Sequence, residues 1–190
     1  MRGMPAGIPT GFPTLDRVLP GGGWPPAGLV ELLLSQEGIG ELRILIPGLL
    51  AVAGGERWLA MVDPPHVPYP AGLDARGVDV AKLLWIRGRP GTWEGVWAAE
   101  QALGSGACAA VLLWSRLDRD LDMRILRRLQ IAAQAGGALC VFFRDIAAAG
   151  QPSPAMLRLG LEPVAEGLSV EILKCRRRPP GRVTVEMRHA

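Results

Sequence analysis

The stretch that most constrains the fold of this chain covers residues 29–50, LVELLLSQEGIGELRILIPGLL. Residues 29–34 form an apolar run of the kind that favours a buried strand. A glycine-bearing turn follows, and it leads directly into an amphipathic segment, beginning near Gly40, that predicts a helix. Strand, glycine turn and helix in this order are the parts of a phosphate-binding loop.

The turn has the outline of such a loop but lacks its functional side chains. In the motif GxxxxGK[ST], backbone N–H groups surround the phosphates, the lysine contacts the terminal phosphates and the hydroxyl binds Mg²⁺. When Gly40 is taken as the second glycine, the remaining positions are Ser35 for the first glycine, Gly38 within the turn, Glu41 for the lysine and Leu42 for the hydroxyl residue. A carboxylate facing a phosphate is repulsive by roughly 1 to 4 kcal/mol. We therefore expect no ATP binding of the usual kind, and no cofactor.

Composition predicts one ordered domain. The chain has 190 residues, 49% of them hydrophobic and 21% charged, which fits a single substantial core. No apolar run reaches the roughly 18 residues that span a bilayer, and the N-terminus lacks a signal-peptide pattern, so we expect a cytoplasmic protein without membrane contact.

Cys108, Cys140 and Cys175 have no CxxC spacing and are interpreted as reduced thiols in or near the core. Two histidines are too few for a multi-histidine site, and we predict no metal site.

Strand and helix patterns alternate along the chain. A lead-in rich in Pro and Gly, residues 1–28, contains one short helical segment capped near Thr14. Helices are predicted at 40–54, 70–76, 92–105 and 120–135. Strands are predicted at 29–34, 57–62, 83–86, 109–114, 138–143, 156–161, 168–175 and 182–187. This order predicts a single α/β domain over residues 1–190, with a mostly parallel central sheet flanked by helices and antiparallel strands at the C-terminal end.

Two helices carry side chains with more than one interpretation. Trp93 and Trp97 lie one turn apart on the helix at 92–105 and are interpreted most simply as core aromatics, with a groove as the alternative. Arg124, Arg127 and Arg128 share one side of the amphipathic helix at 120–135. That basic side is either a solvated surface or an interaction face for a partner or DNA.

The C-terminal segment, residues 174–190, is strongly basic. It contains six basic residues, Lys174, Arg176, Arg177, Arg178, Arg182 and Arg188, against Glu186, whereas the preceding part of the chain is slightly acidic. Such a segment suits a phosphate backbone or an acidic partner surface. The alternative is a solvated end strand whose charges prevent edge-to-edge aggregation.

From about residue 11 to residue 187, the segments resemble the RecA recombinase core. The lead-in TGFPTLDRVLPGGGWPPAGLVEL, the string Gly77, Val78, Asp79, Leu83, Leu84 and the string Ser105, Gly106, Ala107 lie in matching places. The ImuA family of RecA-like accessory proteins is more similar still. The residues that carry this resemblance are Gly21 to Trp24, Gly38 to Arg43, the triplet Pro64, Pro65, His66, and Trp97 to Leu112.

The resemblance assigns three further positions to a degenerate ATPase site. Pro65 falls where the family places the glutamate that activates water, and proline offers no base. Trp114 falls at the aspartate that holds the Mg²⁺ shell, where an indole could fill the nucleotide space. Asp145, next to Arg144, falls near the residue that senses the γ-phosphate. Because lysine, hydroxyl, glutamate and aspartate are all replaced, the resemblance implies a protein with no catalytic residues that is not an enzyme.

Membership of the ImuA family would imply a non-catalytic scaffold in damage-induced, error-prone translesion DNA synthesis. The implied partners are an ImuB-like inactive Y-family polymerase homologue and an error-prone C-family polymerase, and RecA is a further candidate. The alternative is a SulA-like cell-division inhibitor that binds the tubulin-like division protein. An active RecA-type ATPase is disfavoured by the missing side chains and by the short segment before Gly11.

DNA binding would be weak, salt-sensitive and sequence-blind. The family binds DNA through two loops, which correspond here to residues 115–120 and 144–154. Neither loop carries an aromatic side chain for stacking on bases. The arginines of the C-terminal segment are therefore the better candidates for DNA contact.

Overall fold

The protein is described by a computed structural model. The structure describes residues 6–53, 55–89, 92–114, 121–175 and 181–187. Within these ranges, no helix is long and apolar enough to cross a membrane.

One eight-stranded sheet organises the fold. Its strands are β1 (Gly28–Leu34), β2 (Trp58–Val62), β3 (Leu83–Ile86), β4 (Cys108–Trp114), β5 (Leu139–Asp145), β6 (Leu157–Val164), β7 (Gly167–Cys175) and β8 (Gly181–Glu186). Their order across the sheet is β3-β2-β4-β5-β1-β6-β7-β8. The first six strands run parallel, and β7 and β8 add to β6 in antiparallel fashion. The predicted α/β class, with a mostly parallel sheet and antiparallel strands at the C-terminal end, is confirmed.

Five α-helices accompany the sheet in the described ranges. They are α1 (Pro13–Asp16), α2 (Ile46–Ala53), α3 (Pro70–Asp74), α4 (Glu94–Gly104) and α5 (Met123–Ala135). The side chains of α4 and α5 form a buried cluster with one face of the sheet, and those of the lead-in, α1, α2 and α3 form another with the opposite face. Strands β1 and β4 are buried along their whole length, as their continuous apolar sequences require.

The lead-in is fixed to the core by a tryptophan. Trp24 is fully buried, and a short antiparallel bridge pairs its backbone with that of Ile8. A Cβ at Gly48 of α2 would lie 2.6 Å from the Trp24 ring, so glycine is needed for this close approach.

The predicted cap of α1 near Thr14 is wrong. Phe12 is the residue before α1, and the Asp16 carboxylate accepts the Thr10 N–H at 2.8 Å.

Helix α2 begins six residues later than predicted, at Ile46. Gly40 has a φ of 101°, which ends any helical conformation there. The backbone then passes through successive hydrogen-bonded turns over residues 41–45, and Pro47 takes the second position of α2, where a proline is tolerated because it has no N–H to leave unpaired.

The interpretation of Trp93 and Trp97 as core aromatics is wrong. Their side chains are 43% and 60% exposed. The stripe of α4 that faces the sheet consists of Gly95, Val96 and Ala99, with Leu103 a turn further on. The helix lies so close to β2 that a Cβ at Gly95 would be 1.7 Å from Asp63 Oδ2. This stripe of mostly small side chains turns both indoles outwards.

Candidate functional site

A cavity of about 360 Å³ opens at the carboxyl ends of β1, β2 and β4. Its wall combines the turn after β1, the proline-rich loop after β2, the first turn of α2 and part of α3. The wall residues are Gly38, Gly40, Glu41, Leu42, Arg43, Ile46, Met61, Pro64, Pro65, His66, Val67, Pro68, Tyr69, Gly72, Leu73, Arg76 and Trp114. Parallel α/β sheets hold their ligands at this end.

Six of the eight positions assigned to the degenerate nucleotide site lie in this wall: Gly38, Gly40, Glu41, Leu42, Pro65 and Trp114. The other two lie elsewhere. Ser35 is exposed and its N–H donates to the carbonyl of Leu161 at 3.4 Å. The Asp145 carboxylate accepts the N–H of Ala147 at 2.7 Å and begins the 3₁₀-helix Ile146–Gly150.

The Glu41 carboxylate binds the backbone of its own loop. Its two oxygens accept the N–H groups of Gly38 at 3.2 Å and Gly40 at 3.1 Å, and the residue is 7% exposed. Both glycines have positive φ, 78° and 101°, which turns their N–H groups towards a common point. In a working phosphate-binding loop such groups bind phosphate. Here an internal carboxylate occupies them.

Trp114 forms another part of the wall. Its ring stacks on Phe143 with centroids 4.3 Å apart and planes inclined by 13°. The residue is 7% exposed, and its Nε1–H has no acceptor among the residues that the structure describes. A buried donor without an acceptor costs about 1 to 3 kcal/mol.

No group of three or more His, Cys, Asp or Glu side chains suited to a metal ion occurs in the described parts of the chain. Cys108 and Cys140 are buried, and burial raises the pKa of both thiols. Cys175 is partly buried at the end of β7.

The sequence analysis did not predict a buried ionic cluster on the sheet. Glu31 of β1 is fully buried between two arginines: its carboxylate accepts Arg144 Nη1 at 3.1 Å and Arg158 Nε at 2.5 Å. Arg158 also donates to the carbonyls of Ala148, Ala149 and Gln151. The signal was the single carboxylate within the apolar run LVELLL.

This ionic cluster fixes the segment that the sequence analysis assigned to a second DNA-binding loop. Arg144 Nη2 donates to the Gln151 side chain at 2.7 Å, so both arginines hold residues 146–151 against β1 and β6. The segment contains a 3₁₀-helix rather than the open loop that the sequence predicted. The first predicted loop, residues 115–120, lies outside the described residues.

Exposed tryptophans surround one edge of the sheet. Strand β3 is the last strand on its side, and four of the six tryptophans lie on β3, at the start of β2 or on α4, which packs on β2 and β4. The edge aromatic surface, as we name it, consists of Trp58, Leu84, Trp85, Trp93 and Trp97, which are between 39% and 60% exposed. It extends over both faces of the sheet at this edge, because Trp85 is in register with Met61 of the cluster that contains α2 and α3, whereas Leu84 is in register with Ala60 of the cluster that contains α4. Sequence periodicity did not identify this surface.

The predicted basic residues are divided among several places. Arg124, Arg127 and Arg128 are exposed on α5, and Arg128 forms an ion pair with Glu100 of α4 at 2.5 Å that raises the pKa of its guanidinium. Arg182 pairs with Glu171 at 2.8 Å and Glu162 at 3.6 Å. Lys174 Nζ donates to the Ser153 carbonyl at 2.5 Å. Arg176, Arg177, Arg178 and Arg188 lie outside the described residues.

The positive charge of Arg182 in β8 is therefore already balanced by carboxylates of the neighbouring strands. The hydrogen bond that Arg182 donates to Glu171 is the main cause of a raised Arg182 pKa, and the charges of Glu171 and Glu162 add to it. Its positive charge is shared with two carboxylates of neighbouring strands. This arrangement weakens the interpretation of Arg182 as a contact for DNA phosphates.

Comparison with known proteins gives one curated relative. No protein-family model matches the chain. The cell division inhibitor SulA of Edwardsiella piscicida is 35% identical over 116 residues, which cover 58% of this chain and 67% of that protein. Among solved structures, the crystal structure of SulA from Pseudomonas aeruginosa aligns with a TM-score of 0.48 and 23% identity, covering 60% of this chain and 96% of that one.

The match to the Edwardsiella protein overturns the assignment to the ImuA family. The translesion scaffold function falls with it, as do its partners: the ImuB-like protein, the C-family polymerase, RecA and DNA. The error has a physical cause, because the glycine turns and the substituted positions that carried the resemblance are features of single strands and turns. They do not describe the surface that selects a partner. By its identity to the relative over two thirds of that protein, the chain belongs to the SulA family of cell division inhibitors.

Proposed function

We propose that this protein inhibits cell division by binding the tubulin-like division protein through the edge aromatic surface. Family membership supports the biological role, and the exposure of four tryptophans around β3 is the observation that carries the choice of surface. Inhibition by binding requires no reaction catalysed by this chain.

Exposed tryptophans at a sheet edge suit a protein interface. Trp and Tyr are the side chains that most often dominate binding energy at interfaces, because they bury a large rigid area at low entropic cost. The outer side of β3 also has no neighbouring strand among the described residues, so its backbone can accept hydrogen bonds from a partner strand. Aromatic contacts would then select the partner and backbone contacts would align it.

We further propose that the domain is a RecA-like core without ATPase activity. The support is that positions from three separate segments, Glu41, Pro65 and Trp114, meet at one cavity at the carboxyl ends of the strands. Glu41 cannot replace the phosphate-binding lysine, Pro65 cannot replace the base and Trp114 cannot replace the metal-binding carboxylate of an ATPase. The Glu41 carboxylate additionally holds the loop N–H groups that would bind phosphate.

The test is an assembly assay with the purified division protein of the same organism. The intact chain should lower the amount of GTP-dependent polymer measured by light scattering and by sedimentation. The double variant Trp85→Ala, Trp97→Ala should lose most of this inhibition, because truncating one interface tryptophan typically weakens binding by about 2 kcal/mol or more. Both residues are exposed, so the variant should remain folded.

Val164→Ala is the matched control. Val164 is 42% exposed at the end of β6, on the opposite half of the sheet, and its truncation should leave inhibition unchanged. Full inhibition by the double tryptophan variant would show that another surface binds the partner. No effect of the intact chain on assembly would contradict the proposed function itself.

A further inference from the structure

We propose that Asp63 is a positioning residue for the edge aromatic surface, because it joins β2, β3 and α4 at the place where that surface is formed. The surface has parts on different elements: Trp85 lies on β3, whereas Trp93 and Trp97 lie at the start of α4. A partner that covers this edge of the sheet must contact both parts together. The inference rests on the proposed function for its effect on the partner, and the positioning itself rests on the contacts of Asp63.

Asp63 has an uncommon backbone conformation at the end of β2. Its φ of 50° makes it the one residue other than glycine with a positive φ in the described ranges. Aspartate adopts this conformation more often than most side chains do, but the conformation still costs free energy. Residues of this kind persist where the surrounding structure holds them, and they concentrate at functional sites. The conformation of Asp63 therefore points to contacts that outweigh its cost.

The first of these contacts reach β3 and the residues that follow it. The Asp63 backbone N–H donates to the carbonyl of Ile86 at 3.0 Å, and its carboxylate oxygen Oδ1 accepts the N–H of Gly88 at 2.7 Å. Trp85 is the residue directly before Ile86. Both hydrogen bonds therefore fix the backbone at the end of the strand that carries Trp85.

The same carboxylate lies against α4. A Cβ at Gly95 would be 1.7 Å from Asp63 Oδ2, so this oxygen occupies the space that a side chain at position 95 would need. A Cβ at Gly88 would lie 2.8 Å from the Gly95 nitrogen and 3.3 Å from the same oxygen. Two glycines thus allow the segment after β3, the first turn of α4 and the Asp63 carboxylate to pack together.

The contact at Gly95 determines where the exposed indoles of α4 lie. Gly95 is buried, and Trp93 and Trp97 are two residues before and after it. Residues two apart lie on nearly opposite sides of a helix, so both tryptophans project away from the side that rests on Asp63. A shift of this carboxylate would therefore move both indoles relative to Trp85.

Another contact joins the same segments, but it is exposed. Arg89 Nε donates to the Glu94 carboxylate at 2.7 Å, and the two side chains are 81% and 43% exposed. Exposed ion pairs hold their partners weakly, because water competes for both charges. Asp63 is half-buried, and we infer that it is the stronger connection between β3 and α4.

The experiment compares the parent chain with Asp63→Gly and Asp63→Asn in the division-protein assembly assay. Glycine accepts the positive φ, so Asp63→Gly removes only the carboxylate. It should raise the concentration for half-maximal inhibition roughly fivefold, because the partner must then order the two parts of the surface as it binds. Asp63→Asn keeps a side-chain oxygen and tolerates the same φ, so it should stay within about twofold of the parent.

Indole N–H signals in ¹H–¹⁵N NMR spectra of the free chain test the positioning without a partner. Asp63→Gly should shift the signals of Trp85, Trp93 and Trp97, whereas those of the buried Trp24 and Trp114 should stay as in the parent. Asp63→Asn should show the smaller shifts of a surface that keeps its arrangement. This measurement decides the positioning even where the parent chain fails to inhibit assembly, a result that would contradict the proposed function alone.

Gly95→Ala and Gly104→Ala are a matched pair on α4. A Cβ at position 95 would displace the Asp63 carboxylate, so Gly95→Ala should weaken inhibition as Asp63→Gly does. A Cβ at position 104 meets open space, so Gly104→Ala should inhibit as the parent does. Asp122→Ala is the control for lost stability, because it removes a carboxylate that accepts two N–H groups at the start of α5, and it should also inhibit as the parent does.

Four results would overturn the proposal. One is inhibition by Asp63→Gly that equals that of the parent. Another is an equal loss of inhibition in Asp63→Asn, which would show that the hydrogen bond to Gly88 positions nothing. A loss of similar size in Asp122→Ala or Gly104→Ala would assign the effect to general stability. Shifts of Trp24 and Trp114 as large as those of Trp85 would do the same.

Discussion

At the scale of single residues, two carboxylates determine how the interior is held together. Glu31 neutralises one of two buried arginines, and Glu41 binds a loop that otherwise attracts anions. The partners of Glu31 lie far along the chain, so the sequence showed an unusual carboxylate in an apolar run but not the arginines that bind it. The two residues differ in their partners, guanidinium groups for Glu31 and backbone N–H groups for Glu41, which makes their expected effects separable.

Glu31→Gln should lower the free energy of unfolding by about 3 to 5 kcal/mol, because the buried guanidinium of Arg158 would lose the carboxylate with which it pairs. Equilibrium urea denaturation measures this loss. Glu162→Gln is the control: Glu162 is exposed and pairs with Arg182 at 3.6 Å, and its loss should cost at most about 1 kcal/mol. Equal effects of the two substitutions would mean that the buried cluster contributes no more than a surface ion pair.

Glu41→Ala should lower the free energy of unfolding by about 1 to 3 kcal/mol, since it removes the acceptor of two N–H groups. Sulfate should restore part of the lost stability by binding those groups, which raises the melting temperature of the variant more than that of the parent. Glu37→Ala, an exposed change in the same loop, should respond to sulfate as the parent does. An identical sulfate response in all three proteins would show that the loop has no affinity for anions once Glu41 is removed.

At the scale of secondary-structure elements, the residues at the start of a helix decide how accurately its first residue could be predicted from the sequence. Helix α5 is amphipathic and has a clear start signal, because the Asp122 carboxylate accepts the N–H groups of Arg124 at 2.8 Å and Ile125 at 3.0 Å. Helix α2 has no side-chain cap of this kind, and the glycine turn before it delays its start. Periodicity predicts that a helix exists more reliably than it predicts the first residue.

Asp122→Ala should destabilise the protein by about 1 kcal/mol, because the first turn of α5 loses its capping acceptor. Thermal or urea denaturation measures the effect. Asp122→Asn keeps a side-chain oxygen at the same position and should lose only a few tenths of a kcal/mol. A similar loss in both variants would assign the stabilisation to the negative charge near the helix N-terminus rather than to the hydrogen bonds.

At the scale of the whole molecule, the described residues 181–187 of the C-terminal segment are joined to the sheet through β8. Strand β8 pairs along β7 from Gly167 to Ile172, contacts α1, and contributes the fully buried Val185 to the core. The sequence left open whether residues 174–190 act as a binding segment or as an end strand. The described residues 181–187 have the end-strand arrangement.

A chain ending at Leu173 should therefore be destabilised throughout. The loss of Val185 alone removes about 1.5 to 3 kcal/mol of buried apolar contact, and Leu168 and Val170 lose the strand beside them. Reduced melting temperature and aggregation during purification are the expected observations. Arg182→Gln should change stability by no more than about 1 kcal/mol, so it isolates the charge of the segment from its structural role. A fully stable truncated chain would contradict the packing of β8.

The sequence alone determined the α/β class and the order of the elements, because these depend on local periodicity. It did not determine which residues meet across the sheet. The pairing of Glu31 with Arg144 and Arg158 joins side chains more than a hundred residues apart, and the outward direction of Trp93 and Trp97 follows from how closely α4 approaches β2. Tertiary structure decided these features, because burial and exposure depend on the distance between elements and not on spacing along one of them.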